Sequence, residues 1–132
     1  MPLTAPAQFI NLDLVLKSKS DLSVIVEHVD RQSFILSHEE FSGEWILVLE
    51  LVEEESTPDP GNYTQRFLTM ISEFPDKART VWKACTSRTF SYGFDGGSNG
   101  PALDATISAD LLVQIAGLGA DIGITVYPCR QP

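Results

Sequence analysis

The stretch "TFSYGFDGGSNGPALDATI", residues 89–107, decides how the sheet of this protein is read. Phe90, Tyr92 and Phe94 alternate with small or polar residues, the period of a strand with one apolar face. Asp95-Gly96-Gly97 follows as a hairpin turn signal, because glycine accepts the positive φ of tight turns. On that reading "ALDATI", residues 102–107, returns as an antiparallel partner, and the sheet becomes mostly antiparallel. Gly93 falls opposite the aromatic side, where it marks a bulge or a close backbone approach.

The same glycines invite catalytic readings, and each fails on a missing residue. A phosphate-binding loop needs Gly-Lys-Ser/Thr at a helix N-terminus, so that backbone N–H groups and the ammonium meet the phosphates. Here there is no lysine, and a strand is expected next. A dinucleotide fingerprint fails because the glycines do not open a helix. A nucleophilic Ser98 would need a histidine base, and the chain has only His28 and His38. The turn therefore reads as structure, with Tyr92, Asp95, Ser98 and Asn99 kept as possible ligand or loop contacts because loops often carry function.

Upstream, "FINLDLVLKS" alternates, with Ile10, Leu12, Leu14 and Leu16 on one face and Asn11, Asp13 and Lys17 on the other. Ser20 is the expected cap of a helix bearing Leu22, Ile25, Val26 and Val29. "SFILS" reads as a second strand. "SHEEF" reads as a turn with His38 beside two carboxylates, too few ligands for zinc. "EWILVLELVEE" begins apolar on both sides, as a covered central strand would. After the broken loop "STPDPGN", Tyr63, Phe67, Met70, Ile71 and Phe74 lie on one helical stripe. Pro75 ends or kinks that helix, and Ala78, Val81, Trp82 and Cys85 line the next.

Near the end, Ser108 caps a helix whose Leu111, Leu112, Ile115 and Leu118 face inward, and "DIGITVYP" is a last strand. The order is β-α-β-β-α(α)-β-β-α-β. A single α+β domain spanning 1–132 is expected, with a mixed, mostly antiparallel sheet of about six strands and helices on one face. Helix-then-strand units open with Asp-Leu at both ends of the chain, in "SDLSVIVEHV" and "ADLLVQIAGLG".

A chain of 132 residues with 43% hydrophobic content can bury a core without staples. Cys85 and Cys129 match no zinc motif and make no disulfide framework. The opening "MPLTAPAQF" has neither a basic nor an apolar region of a secretion signal, so a cytoplasmic location is expected.

The net charge of −9 disfavours nucleic acid and anionic membranes as partners. The acids are also unevenly placed. Between Arg31 and Arg66 no Lys or Arg occurs, yet Glu39, Glu40, Glu44, Glu50, Glu53, Glu54, Glu55 and Asp59 all do. From Arg66 to Arg88 the sign reverses. "ELVEEE" reads first as a solvated strand end whose charges block aggregation. Its functional reading is a docking patch for a basic partner, formed by Glu39, Glu40, Glu50, Glu53, Glu54, Glu55 and Asp59. Carboxylates such as Glu50 and Asp104 have the chemistry for acid–base work, but no spacing brings them together.

"ISADLLVQIAGLGADIGITVYP", residues 107–128, resembles the C-terminal strand-helix-strand unit of small bacterial α+β proteins. Some families of that look are immunity proteins found beside bacterial toxins. The resemblance implies a capped helix feeding a buried strand and carries over no catalytic residue. The expected function is a non-catalytic cytosolic protein-binding domain, an immunity protein neutralising a basic toxin through an acidic surface. No cofactor or metal is implied. The alternative is an enzyme or small-ligand binder with a pocket near the 89–101 hairpin.

Overall fold

From Leu12 to Ser18 every second residue of the first strand is buried, and that alternation organises the molecule. Ahead of it a register shift buries Phe9 and leaves Ile10, expected on the inner face, exposed. The computed structural model describes residues 5–52, 58–98 and 100–128. In chain order the elements are β1 (Gln8–Ser18), α1 (Ser23–Val29), β2 (Ser33–Phe41), β3 (Glu44–Leu51), α2 (Pro60–Ser72), α3 (Asp76–Ala84), β4 (Ser87–Asp95), α4 (Ala109–Gly117) and β5 (Asp121–Tyr127). They form an α+β fold with one mixed sheet in the order β2-β3-β1-β4-β5. β1 is central and antiparallel to both β3 and β4, β2 is antiparallel to β3, and β5 runs parallel to β4.

Cross-strand register aligns Leu14 with Leu49 and Phe90, and Leu16 with Leu47. These side chains are buried with Leu12, Leu51 and Tyr92 in one cluster with the helices. The stripe expected of α2 is as drawn: Tyr63, Phe67, Met70 and Ile71 are buried, with Phe74 just past the helix end. Asp59 caps α2 by accepting from the Asn62 N–H at 2.8 Å, and Pro60 occupies the first turn. Phe67 and Phe90 meet edge-to-face at 6.1 Å between ring centres.

Several local readings change. The 95–97 turn does not make a hairpin: residues 102–107 form no strand, so the sheet has five strands rather than six. β4 has β1 on one side and β5 on the other, which leaves no edge for "ALDATI". "DIGITVY" supplies more β-branched residues than "ALDATI" and takes the place. The turn's own hydrogen bonds go elsewhere, from Gly96 N–H to the Tyr127 carbonyl and from Ser98 N–H to the Ala5 carbonyl, each 2.9 Å. Gly97, at φ +71°, could not carry a side chain, because a Cβ would lie 2.5 Å from the Ala7 nitrogen.

"SHEEF" belongs to β2, and the turn is the following Ser42-Gly43, with φ of 54° and 81°. Two positive φ values between Phe41 and Glu44 match the twist of a two-residue hairpin. At α1 the N-cap is Leu22, with no side-chain cap from Ser20; just ahead of the helix Asp21 accepts from both the N–H and the hydroxyl of Ser23. On α4 Ile115 is buried, but Leu112 is largely exposed.

Helices cover one face of the sheet. Ile46 and Val48, expected in a strand covered on both sides, are only half-buried on the other face. Among the described residues no helix is long and apolar enough to cross a membrane.

Candidate functional site: the open face of the sheet

Pleating sends alternate residues of each strand to the face that no helix covers among the described residues. From β1 it receives Asn11, Asp13, Val15 and Lys17, opposite Glu50, Val48 and Ile46 of β3. Glu50 in turn sits opposite Phe34 of β2, and Ile46 opposite Glu39. On the other side Asp13 faces Ser91, and Asn11 faces Gly93. A Cβ on Gly93 would fall 2.3 Å from Asn11 Oδ1. The close approach expected at this glycine is there, beside a register shift between Phe9 and Asn11.

The centre of this face is a pair of carboxylates on adjacent strands, Asp13 and Glu50. The Asn11 amide bridges them, with Nδ2 3.5 Å from Asp13 Oδ1 and 3.4 Å from Glu50 Oε2. Partial burial and the neighbouring Glu50 charge push the Asp13 carboxyl up to about 6. Glu39, Asp95 and Asp121 share the face by register. Of the two Lys/Arg side chains on the strands, Lys17 lies here and Arg88 turns to the helix side. Aromatic area completes the surface: Phe34 is 55% exposed and Phe41 71%.

The Asp13 shift has a testable sign. Its folded value is raised above the ordinary 3.8, so the folded state holds this proton more tightly than the unfolded chain. The resulting stability is complete below about pH 3.8 and is lost as pH rises through about 6. Discounted for the solvent that reaches a half-buried group, the cost above pH 7 is about 1 kcal/mol. Asp13→Asn is expected to be more stable than the wild type by that amount at pH 8, with the difference gone at pH 4. Urea unfolding at the two pH values reads it.

The acids singled out from the sequence are not one patch. Glu39 and Glu50 reach the open face. Glu40 alternates to the other side, opposite Trp45, and Asp59 is spent on the α2 cap. Glu53, Glu54, Glu55 and Asn99 lie outside the described residues. Glu50 meets Asp13, an outward residue of β1, rather than Asp104. Two alternations and their register would have been needed to pair them.

His38 points to the helix side, its ring 5.4 Å from that of Trp45. Its Nε2 is 3.5 Å from Asp21 Oδ1, within ion-pair reach of a protonated ring but without a hydrogen bond. No group of three metal-ligating side chains occurs among the described residues.

The loop after β4 borders a groove of about 720 Å³, floored by Phe94, Ile124 and Val126 and walled by residues 96–98 and 100–103. Its polar groups are engaged in building the loop. The Ser98 hydroxyl accepts from the Ala5 N–H at 2.9 Å, and the Asp95 carboxylate from the Gly97 N–H at 2.9 Å. Tyr92 is buried beneath α2 with its hydroxyl against that of Thr64, which itself donates to the Pro60 carbonyl. His38 belongs to the opposite edge strand from Ile124, so it stands apart from Ser98.

The chain is thus a two-layer α+β protein whose sheet presents an acidic and partly apolar open face. No protein-family model, curated protein or solved structure matches it.

Proposed function

We propose that this is a non-catalytic binding protein whose open sheet face docks a basic protein, in the manner of a cytosolic bacterial immunity protein occluding a toxin. The carrying observation is the composition of that face: Asp13, Glu39 and Glu50 interleave with Val15, Ile46, Val48 and Phe34 around one lysine. Half-buried aliphatics and an exposed aromatic supply contact area, while the acids steer and select a cationic partner. Asp13 and Glu50 repel each other when both are ionised, and a partner's lysine or arginine placed between them relieves that repulsion.

Isothermal titration against the product of the adjacent gene tests the reading. Wild type is expected to bind, and Glu39→Lys with Glu50→Lys to weaken binding roughly 10–100-fold with retained folding. No binding by the wild type, or equal binding by the variant, overturns it.

A second reading is favoured by the groove at 94–103, whose volume suits a small apolar ligand. Thermal shifts across a metabolite panel that Leu103→Ala abolishes would favour this reading over the first.

A further inference from the structure

A five-stranded open sheet has two edges, and here they differ. β2 is interrupted by a register shift between Ile35 and Ser37 and carries Glu39 and Glu40, features that discourage strand addition. β5 is a regular seven-residue strand with one charge, Asp121, at its start. Its Ile122, Ile124 and Val126 remain 40%, 69% and 61% exposed although they lie on the helix side of the sheet.

The backbone of β5 can be sorted by direction. The Tyr127 carbonyl accepts from Gly96 and so points towards β4. Because these groups alternate along a strand, Gly123 and Thr125 address β4 as well. The N–H and C=O groups of Ile122, Ile124 and Val126 then point outward, where no other strand adjoins β5 among the described residues.

We propose that two copies of the chain pair antiparallel through β5, around a two-fold axis at Ile124. This register sets Ile124 against its own copy and Ile122 against Val126 of the other chain, so all three outward-pointing positions meet as hydrogen-bonded pairs. Asp121 falls opposite Tyr127, and no carboxylate faces another along the edge, so a chain of net charge −9 pairs here without direct repulsion. Pro128 lies just beyond the last pair. The exposed apolar area of Ile122, Ile124, Val126, Tyr127 and nearby Leu103 is roughly 500 Å², before loop contacts, against the ~800 Å² per partner of a standard interface. A basic partner would find only one carboxylate along this strand, whereas a second copy matches it at every position. The result is a continuous ten-stranded sheet with both open faces free.

Sedimentation velocity of the full chain across about 1–300 µM tests this, since edge pairing of this size is expected in the micromolar range. The wild type should approach twice the chain mass as concentration rises. Ile124→Lys, which sets two ammonium groups face to face at the axis, should weaken the dimer roughly 100-fold. The register has its own test. Ile122→Glu and Val126→Lys should each weaken association, and the double variant should restore it through two cross-chain ion pairs. A wild type that stays monomeric overturns the proposal, as does a dimer indifferent to Ile124→Lys. A double variant no stronger than the singles overturns the register, even where Ile124→Lys fails to fold.

Discussion

Phe90→Ala is expected to cost about 3–5 kcal/mol, the range for emptying a large aromatic site in a packed core. Phe90 is fully buried on β4, opposite Leu14 of the central strand and Ile122 of β5, with Phe67 of α2 edge-on to its ring. It therefore touches the sheet on both sides and the helical layer above. Collapse around the void would have to move two strands and a helix, so little relaxation is available. Against a total of about 5–15 kcal/mol for an ordinary domain, that loss removes a large share of the stability. A fall of roughly 10–20 °C in melting temperature follows for a chain of this length. Val113→Ala on the exposed side of α4 is the control and should change stability by less than about 0.5 kcal/mol. A loss below about 1 kcal/mol for Phe90→Ala would show that the sheet and helices do not join at this residue.

Arg88→Ala should cost about 2–4 kcal/mol, through a different mechanism. Its Nη1 donates to the carbonyls of Trp82 and Cys85, and its Nε to that of Gly119, all at 3.0 Å. These carbonyls belong to the C-terminal ends of α3 and α4, where unpaired acceptors and the negative end of the helix dipole collect. One guanidinium thus joins two helix ends from a strand, and the Trp82 indole adds a bond to the Leu118 carbonyl at 2.9 Å. Arg88→Lys should recover less than half the loss, because an ammonium lacks the planar fork that serves three acceptors. The Trp82 emission should shift to the red in Arg88→Ala as the α3–α4 junction admits water. Unchanged unfolding in urea would contradict this role.

How much was legible in the sequence depends on the range of the interaction involved. The alternation of "FINLDLVLKS" and the stripe from Tyr63 to Phe74 are local, and both elements formed with the expected residues buried, except that the register shift between Phe9 and Asn11 buries Phe9 and leaves Ile10 exposed. The Asp95-Gly96-Gly97 signal is equally local, yet the hairpin failed because β5 competes for the same edge of β4 from further along the chain. His38 and its acidic neighbours lost their turn to a strand because the true turn, Ser42-Gly43, satisfies two positive φ values at once. The Asp13–Glu50 pair was illegible for a related reason. Each residue's outward direction follows from its own strand, but their meeting depends on the β1–β3 register, which the whole sheet sets. The exposure of Ile124 and Val126 was hidden as well, since alternation identifies a face but not whether a helix covers it.

The proposed docking surface is the open sheet face. The most direct test is the map of backbone amide shifts on adding the adjacent gene's product to the isotopically labelled full chain. Perturbations are expected at Asn11, Asp13, Val15, Glu39, Val48 and Glu50, with α1, α2 and α3 largely silent. Perturbations confined to the 94–103 groove or to the helical layer would contradict it.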